Sequence, residues 1–84
     1  MKTFSLEIRT PEKKLFSGKV TALTARAIDG GLGILANHAP LATALAAGKI
    51  NYLAENGDKG GVDCQSGFLF VDNGAVTILT TFVR

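Results

Sequence analysis

Residues 30–48 read Gly30-Gly31-Leu32-Gly33-Ile34-Leu35-Ala36-Asn37-His38-Ala39-Pro40-Leu41-Ala42-Thr43-Ala44-Leu45-Ala46-Ala47-Gly48. The run opens in a glycine cluster, closes on a glycine, and holds the single histidine and the second of two prolines. Glycine admits positive φ and close backbone approach, whereas proline fixes φ and removes a donor. A shaped surface loop bracketed by short extended pieces is expected, a place suited to touching a partner. Residues 40–47 carry helix propensity, with Asn37 as a cap and Gly48 as a stop. Two turns of helix are marginal in water, however, and Ala39 before Pro40 is pushed out of the α region. Leu41, Thr43 and Leu45 alternate with alanines, so the segment reads as a strand with one tightly packed face.

The flanks alternate as well. Phe4, Leu6 and Ile8 share one face of a half-buried strand, which Pro11 ends in a turn over residues 11–14. Leu15-Phe16 begins a short second piece, broken at Gly18. Residues 20–28 place Thr21, Leu23, Ala25 and Ala27 on one side, with Val20, Ala22, Thr24 and Arg26 on the other. Asp29-Gly30 is a turn dipeptide, and Asn56-Gly57, after an alternating strand over 49–55, carries the two-residue type I′ hairpin signal. Residues 62–65 form the return strand. Phe68-Leu69-Phe70-Val71 is a continuous apolar run, as in a strand covered on both faces. Asp72-Asn73-Gly74 turns the chain into a last strand over 75–83. Short strands separated by Gly, Asn and Asp describe an all-β fold, a β-sandwich or small barrel.

The 84 residues allow one domain, 1–84, and a thin two-layer core rather than a deep cleft, which disfavours a stand-alone enzyme. Hydrophobic residues make up 46% and charged ones 19%, a globular balance with few charges to cover the surface. Net charge is +2 from nine basic and seven acidic residues scattered along the chain, so no basic stripe suits a nucleic acid. One cysteine, Cys64, has no partner for an internal disulfide, which fits a reducing compartment. The first residues lack the apolar core of a signal peptide, and no window is apolar for long enough to span a bilayer.

Chemistry-bearing residues are sparse. His38 has no cluster of metal-ligating or triad residues around it in sequence and reads as a ring hydrogen-bonded within a loop or across an interface. Cys64 reads as a small packing residue, with no cation beside it in sequence to lower its pKa. Gly31-Leu32-Gly33-Ile34-Leu35-Ala36 matches the dinucleotide pattern G-x-G-x-x-A, but Asn37 and Pro40 would interrupt the helix that the pattern needs. No cofactor is expected. An alternative comes from Lys59 beside Asp58 at a hairpin tip, which faintly resembles the modified lysine of lipoyl and biotinyl carrier domains.

The central stretch resembles the signature of the epsilon subunit of F-type ATP synthases, G-E-x-G-I-L-P-N-H-A-P-L-x-T-x-L-x-P-G. Gly30, Gly33-Ile34-Leu35, Asn37-His38-Ala39-Pro40-Leu41, Thr43, Leu45 and Gly48 match it in unbroken register. Phe16-Ser17-Gly18 upstream is similar to the family's F-S-G. Gly67-Phe68-Leu69, Val71 and Asn73 with Val76-Thr77-Ile78-Leu79 are similar to its later strands. The chain departs at Gly31, where the family has glutamate, at Ala36 and Ala47, where it has prolines, and at Ser66 and Phe70.

The resemblance implies a β-sandwich of two packed, mainly antiparallel sheets and a rotor component without chemistry of its own. Such a subunit docks on gamma at the foot of the central stalk and stands on the c-ring, helping couple proton flow to ATP synthesis. It implies that Thr10, His38 and Thr43 lie toward gamma, and that a Gly30, Gly31, Leu32, Gly33 turn meets the ring. The loss of the acid at Gly31 weakens any electrostatic contact from that turn. The implied location is the cytoplasmic face of the bacterial inner membrane, or its organellar equivalent, with membrane association only through the complex. The family's two-helix C-terminal hairpin would begin where this sequence stops, so neither self-inhibition nor an ATP site is expected.

Overall fold

The computed structural model describes residues 2–80. Its eight strands are β1 (Phe4–Arg9), β2 (Lys14–Ala27), β3 (Gly30–Leu35), β4 (Leu41–Leu45), β5 (Gly48–Ala54), β6 (Lys59–Cys64), β7 (Gly67–Asp72) and β8 (Ala75–Thr80). The segment with competing helix propensity, residues 40–47, is the strand β4. Its Leu45 is buried, and Ala42 and Ala44 lie beside Phe70 and Phe68 of β7. The expected extension of the last strand over residues 81–83 lies outside the described residues.

Pairing defines two layers that share β2. One layer runs β1-β8-β7-β4, and the other holds β3, the second half of β2, β5 and β6. All pairs are antiparallel except β1 with β8. A straight strand of 14 residues would be roughly 46 Å long, yet the longest dimension of the molecule is 31 Å. β2 therefore bends. Its first half pairs with β1, and beyond Val20 it pairs with β3 and β5, with a register shift against β5 between Val20 and Ala22. Ala27 at its far end meets Leu45 of β4, which closes the circuit β2-β1-β8-β7-β4.

The bend corrects two expectations. Gly18 does not break the chain into two pieces, because it sits inside β2 opposite Leu6. Val20 is buried along with Thr21, since the bulge changes which parity faces inward. Beyond the bulge Leu23, Ala25 and Ala27 face the core as the alternation predicts.

Every strand contributes to a single core. In the β1-β8-β7-β4 layer the row Ile8, Ile78, Leu69, Thr43 faces inward, as does the row Leu6, Val76, Val71, Leu41. Leu23, Ile34, Ile50 and Cys64 answer from the other layer. Phe16 and Tyr52 cover one margin, their ring centroids 4.2 Å apart. Fully burying an aliphatic side chain of this size contributes about 1.5–3 kcal/mol.

The turns differ from their dipeptide signals. At residues 54–58, the Gly57 amide donates to Ala54 and the Ala54 amide donates to Asp58, while Gly57 alone takes positive φ, 94°. That is a three-residue loop ending in a glycine bulge, not a two-residue type I′ turn. The type I′ geometry is at Asn73-Gly74, with φ of 54° and 81° between the paired Asp72 and Ala75. Gly30 begins β3 opposite Ala27, which leaves Ile28 and Asp29 as the hairpin loop. The return strand β6 starts at Lys59, three residues before the expected 62.

Phe68 and Phe70 overturn the idea of a strand covered on both faces. Leu69 is 0% exposed, whereas Phe68 is 51% and Phe70 45% exposed. An unbroken apolar run hides its alternation from a reading of hydrophobicity alone.

Two glycines give a direct test of this packing. A Cβ on Gly67 would strike the Leu79 carbonyl, while one on Gly31 meets nothing within 4 Å. Urea denaturation is expected to show Gly67→Ala losing about 1–3 kcal/mol and Gly31→Ala staying within about 0.5 kcal/mol of the parent. By the same assay Asn73→Ala, which forces alanine to positive φ in the tight turn, loses about 1 kcal/mol.

Candidate functional site

The residues expected to face gamma occupy three separate positions. β1, β8 and β4 run in the same direction across their layer, so Thr10, after β1, and His38, before β4, stand at opposite ends of it. Thr10 closes the β1–β2 turn: its hydroxyl accepts from the amides of Lys13 at 3.1 Å and Glu12 at 3.3 Å, and its own amide donates to the Lys13 carbonyl at 2.9 Å. Thr43 lies between the two ends, beside Leu69, half-buried with its hydroxyl donating to the Ala44 carbonyl at 3.3 Å. The side chains aimed outward from this part of β4 are those of Ala42 and Ala44.

His38 sits in the loop between β3 and β4, where Asn37 takes φ of 67°. Asparagine tolerates this left-handed conformation better than most residues. The His38 Nδ1 lies 2.7 Å from the Ala39 carbonyl oxygen, and because a carbonyl oxygen only accepts, Nδ1 is the donor. The local sequence thus holds the ring in one orientation without any metal or carboxylate partner. Among the described residues, no three His, Cys, Asp or Glu side chains gather as a metal site requires.

The residues expected to meet the c-ring are brought together, though as a strand and not as a turn. Gly30, Gly31, Leu32 and Gly33 form most of β3, which pairs with β2 alone and is an edge strand. Gly31 and Gly33 are exposed opposite Arg26 and Thr24, while Leu32 is half-buried against the core opposite Ala25. Leu32 is thus partly a packing residue. Ile28, 70% exposed in the loop just before Gly30, is the large apolar side chain that stands free there.

Reading the residues alone missed the outer face of β7. Phe68 and Phe70 lie with ring centroids 6.4 Å apart, flanked by Ala42 and Ala44 on one side and by Thr77 and Leu79 on the other. Exposed aromatics set among small apolar neighbours have the composition of an interface core rather than of a solvated sheet face. The signal was available in the parity of Leu69 and Val71, once those two are assigned to the core.

Lys59 does not sit at a hairpin tip. It is the first residue of β6, opposite Leu53, beyond the three-residue loop 55–57 and its closing residue Asp58. Asp58 instead closes that loop, receiving a 3.1 Å hydrogen bond from the Asn56 side chain. The geometry of a displayed carrier lysine is absent.

The fold defines the class as a small β-sandwich domain closed around one core. The chain belongs to the family of the ATP synthase Delta/Epsilon chain beta-sandwich domain, whose pattern matches residues 3–83. An ATP synthase epsilon chain from Natranaerobius thermophilus is 43% identical over 79 residues, covering 93% of this chain and 56% of that protein. A chain in the cryo-EM structure of the Euglena gracilis mitochondrial ATP synthase, with OSCP, F1 and c-ring, superposes with a TM-score of 0.90 at 27% identity, over 98% of this chain and 52% of that one. A chain from the central stalk and c-ring of the Tetrahymena thermophila mitochondrial enzyme shares the fold, with a TM-score of 0.79 at 19% identity over 99% and 66%. The chain therefore spans about half the length of the epsilon chain it matches, 56%.

Cys64 belongs to the core and not to a reactive site. It is buried on β6, and desolvation raises its thiol pKa above the ordinary range. The folded protein then holds a proton that the unfolded chain releases above about pH 8.5. Stability contributed by the neutral thiol is full below that pH and falls as pH rises through the higher folded value. Chemical denaturation between about pH 7 and 10 is expected to show a downward slope that Cys64→Val flattens.

Proposed function

We propose that this chain is the epsilon-type β-sandwich of a proton-translocating F-type ATP synthase, a non-catalytic part of the central stalk that joins gamma to the c-ring. The observation that carries this reading is the match of one family pattern across residues 3–83. The 0.90 superposition on a chain from an assembly of F1 and c-ring supports it. The physical build is suited to that work. A close-packed core with contributions from all eight strands has low compressibility and passes torque with little compliance.

In this reading Thr10 and His38 lie along the gamma side, Thr43 supports it from the inner face of β4, and β3 with Gly30, Gly31, Leu32 and Gly33 meets the polar loops of the ring. The exposed Phe68–Phe70 pair supplies apolar area between the two ends marked by Thr10 and His38. The described residues include no helix long and apolar enough to cross a membrane. Attachment through the complex, at the cytoplasmic face of a bacterial inner membrane or its organellar equivalent, follows from the rotor role.

Co-purification tests this reading. Tagged chain is expected to recover both gamma and the c-ring, and recovery of neither overturns the assignment. His38→Ala is expected to weaken gamma recovery about fivefold or more while leaving stability within about 0.5 kcal/mol. Leu32→Asp is a poorer probe, because a carboxylate at this half-buried position would disturb the fold as well as the contact.

A further inference from the structure

β6 ends the second layer: it pairs with β5 on one side and with no strand among the described residues on the other. The hairpin fixes which of its backbone groups are already used. Ala54 donates to the Asp58 carbonyl at 2.7 Å, so this antiparallel ladder has its next hydrogen-bonded pairs at Tyr52–Gly60, Ile50–Val62 and Gly48–Cys64. The N–H and C=O groups of Lys59, Gly61 and Asp63 therefore point away from β5, along the free edge. Their side chains belong to the outer face of the sheet, where Asp63 meets Lys49 at 3.7 Å. Lys59 and Asp63 are exposed, and Gly61 between them carries no side chain. On the inner face Val62 is half-buried against the core, and the Tyr52 ring lies over Gly60.

An edge with unused main-chain groups is a template for another strand, and here its charges select which strand. Laid antiparallel about a two-fold axis through Gly61, a second copy of β6 brings its Asp63 opposite Lys59 and its Lys59 opposite Asp63. Gly61 then meets Gly61 of the second copy, and Val62 comes opposite Gly60 of the second copy. Residues 59, 61 and 63 are the ones with free main-chain groups, so each of these opposed pairs is a hydrogen-bonded pair. A shift of two residues leaves the charges opposite glycine. A shift of four sets Lys59 against Lys59 or Asp63 against Asp63, which repel. The other free edge, β3, has no charged side chain and selects no register. We propose that this chain self-associates through β6 into an isologous two-fold dimer, its partner a second copy of the same strand. The contact uses neither β3 nor the Phe68–Phe70 face, so it stands apart from the rotor role.

Sedimentation equilibrium of the chain alone at low salt, between about 10 µM and 1 mM, tests this. The parent chain is expected to show a monomer–dimer equilibrium within that range. Lys59→Asp and Asp63→Lys each set like charges against one another at both ends of the edge, and each is expected to weaken the dimer about tenfold. Both positions are exposed, so thermal stability stays near the parent value. Mixed in equal amounts, the two variants recover parent affinity, because every opposed pair in the mixed dimer is again of opposite sign. Amide exchange locates the contact: the Lys59, Gly61 and Asp63 amides slow as concentration rises, whereas those of β3 do not. A parent chain that stays monomeric throughout overturns the proposal. So does a dimer that both variants leave unchanged, or one that does not recover on mixing them. A dimer lost in Phe68→Ser but kept in Lys59→Asp would place the contact on β7 and overturn the β6 edge as its site.

Discussion

The bend in β2 is the constraint on which the rest of the molecule depends. A 14-residue strand is too long to remain straight inside a body 31 Å across. By turning at Val20, it gives one half of its length to each layer. Bringing Ala27 against Leu45 then closes the first layer back onto the second half of the same strand. Edge backbone that would otherwise need solvent or a partner finds its hydrogen bonds inside the domain. The single core follows, because both layers hang from one strand and face each other across its side chains.

Closure also sorts the surface. Residues whose parity points inward are nearly all aliphatic, and the outward parity of β7 is left with two phenylalanines. The unclosed parts are the edge strands β6 and β3, the latter half glycine and beside the open groove that holds Arg26. These are two chemically distinct surfaces on one stiff body: an apolar aromatic one, and a flat one with an uncompensated cation. Two such surfaces are suited to two different partners, since a partner matched to one gains little from the other.

Local order was legible in the sequence wherever alternation was clean. Phe4, Leu6 and Ile8 announced β1, and Val76 with Ile78 announced β8, because one hydrophobic face every second residue has no other regular solution. The alternating leucines of residues 41–45 outweighed the helix propensity of the alanines for the same reason. The register match from Gly30 through Gly48 reached further, to the family, which composition alone does not approach. Where local signals were ambiguous, the reading went astray in ways with clear causes. Asn56-Gly57 and Asn73-Gly74 carry the same dipeptide, and only strand register decides which becomes the two-residue type I′ turn. Gly18 looked like a break because a glycine in sequence does not reveal the strand that pairs with it.

The sequence by itself determined the all-β class, most strand positions, the inward parity of most strands and the family. Those properties depend on the order of residues along a few neighbouring positions. Only the tertiary structure decided that β2 bends, that Phe68 and Phe70 face out, that Thr10 and His38 stand at opposite ends of one layer, and that Arg26 lies over Gly48 opposite a bare Gly31. Each of these is a relation between residues distant in the chain. It is set by which strands pair and in what register, a choice made by burying the whole core at once.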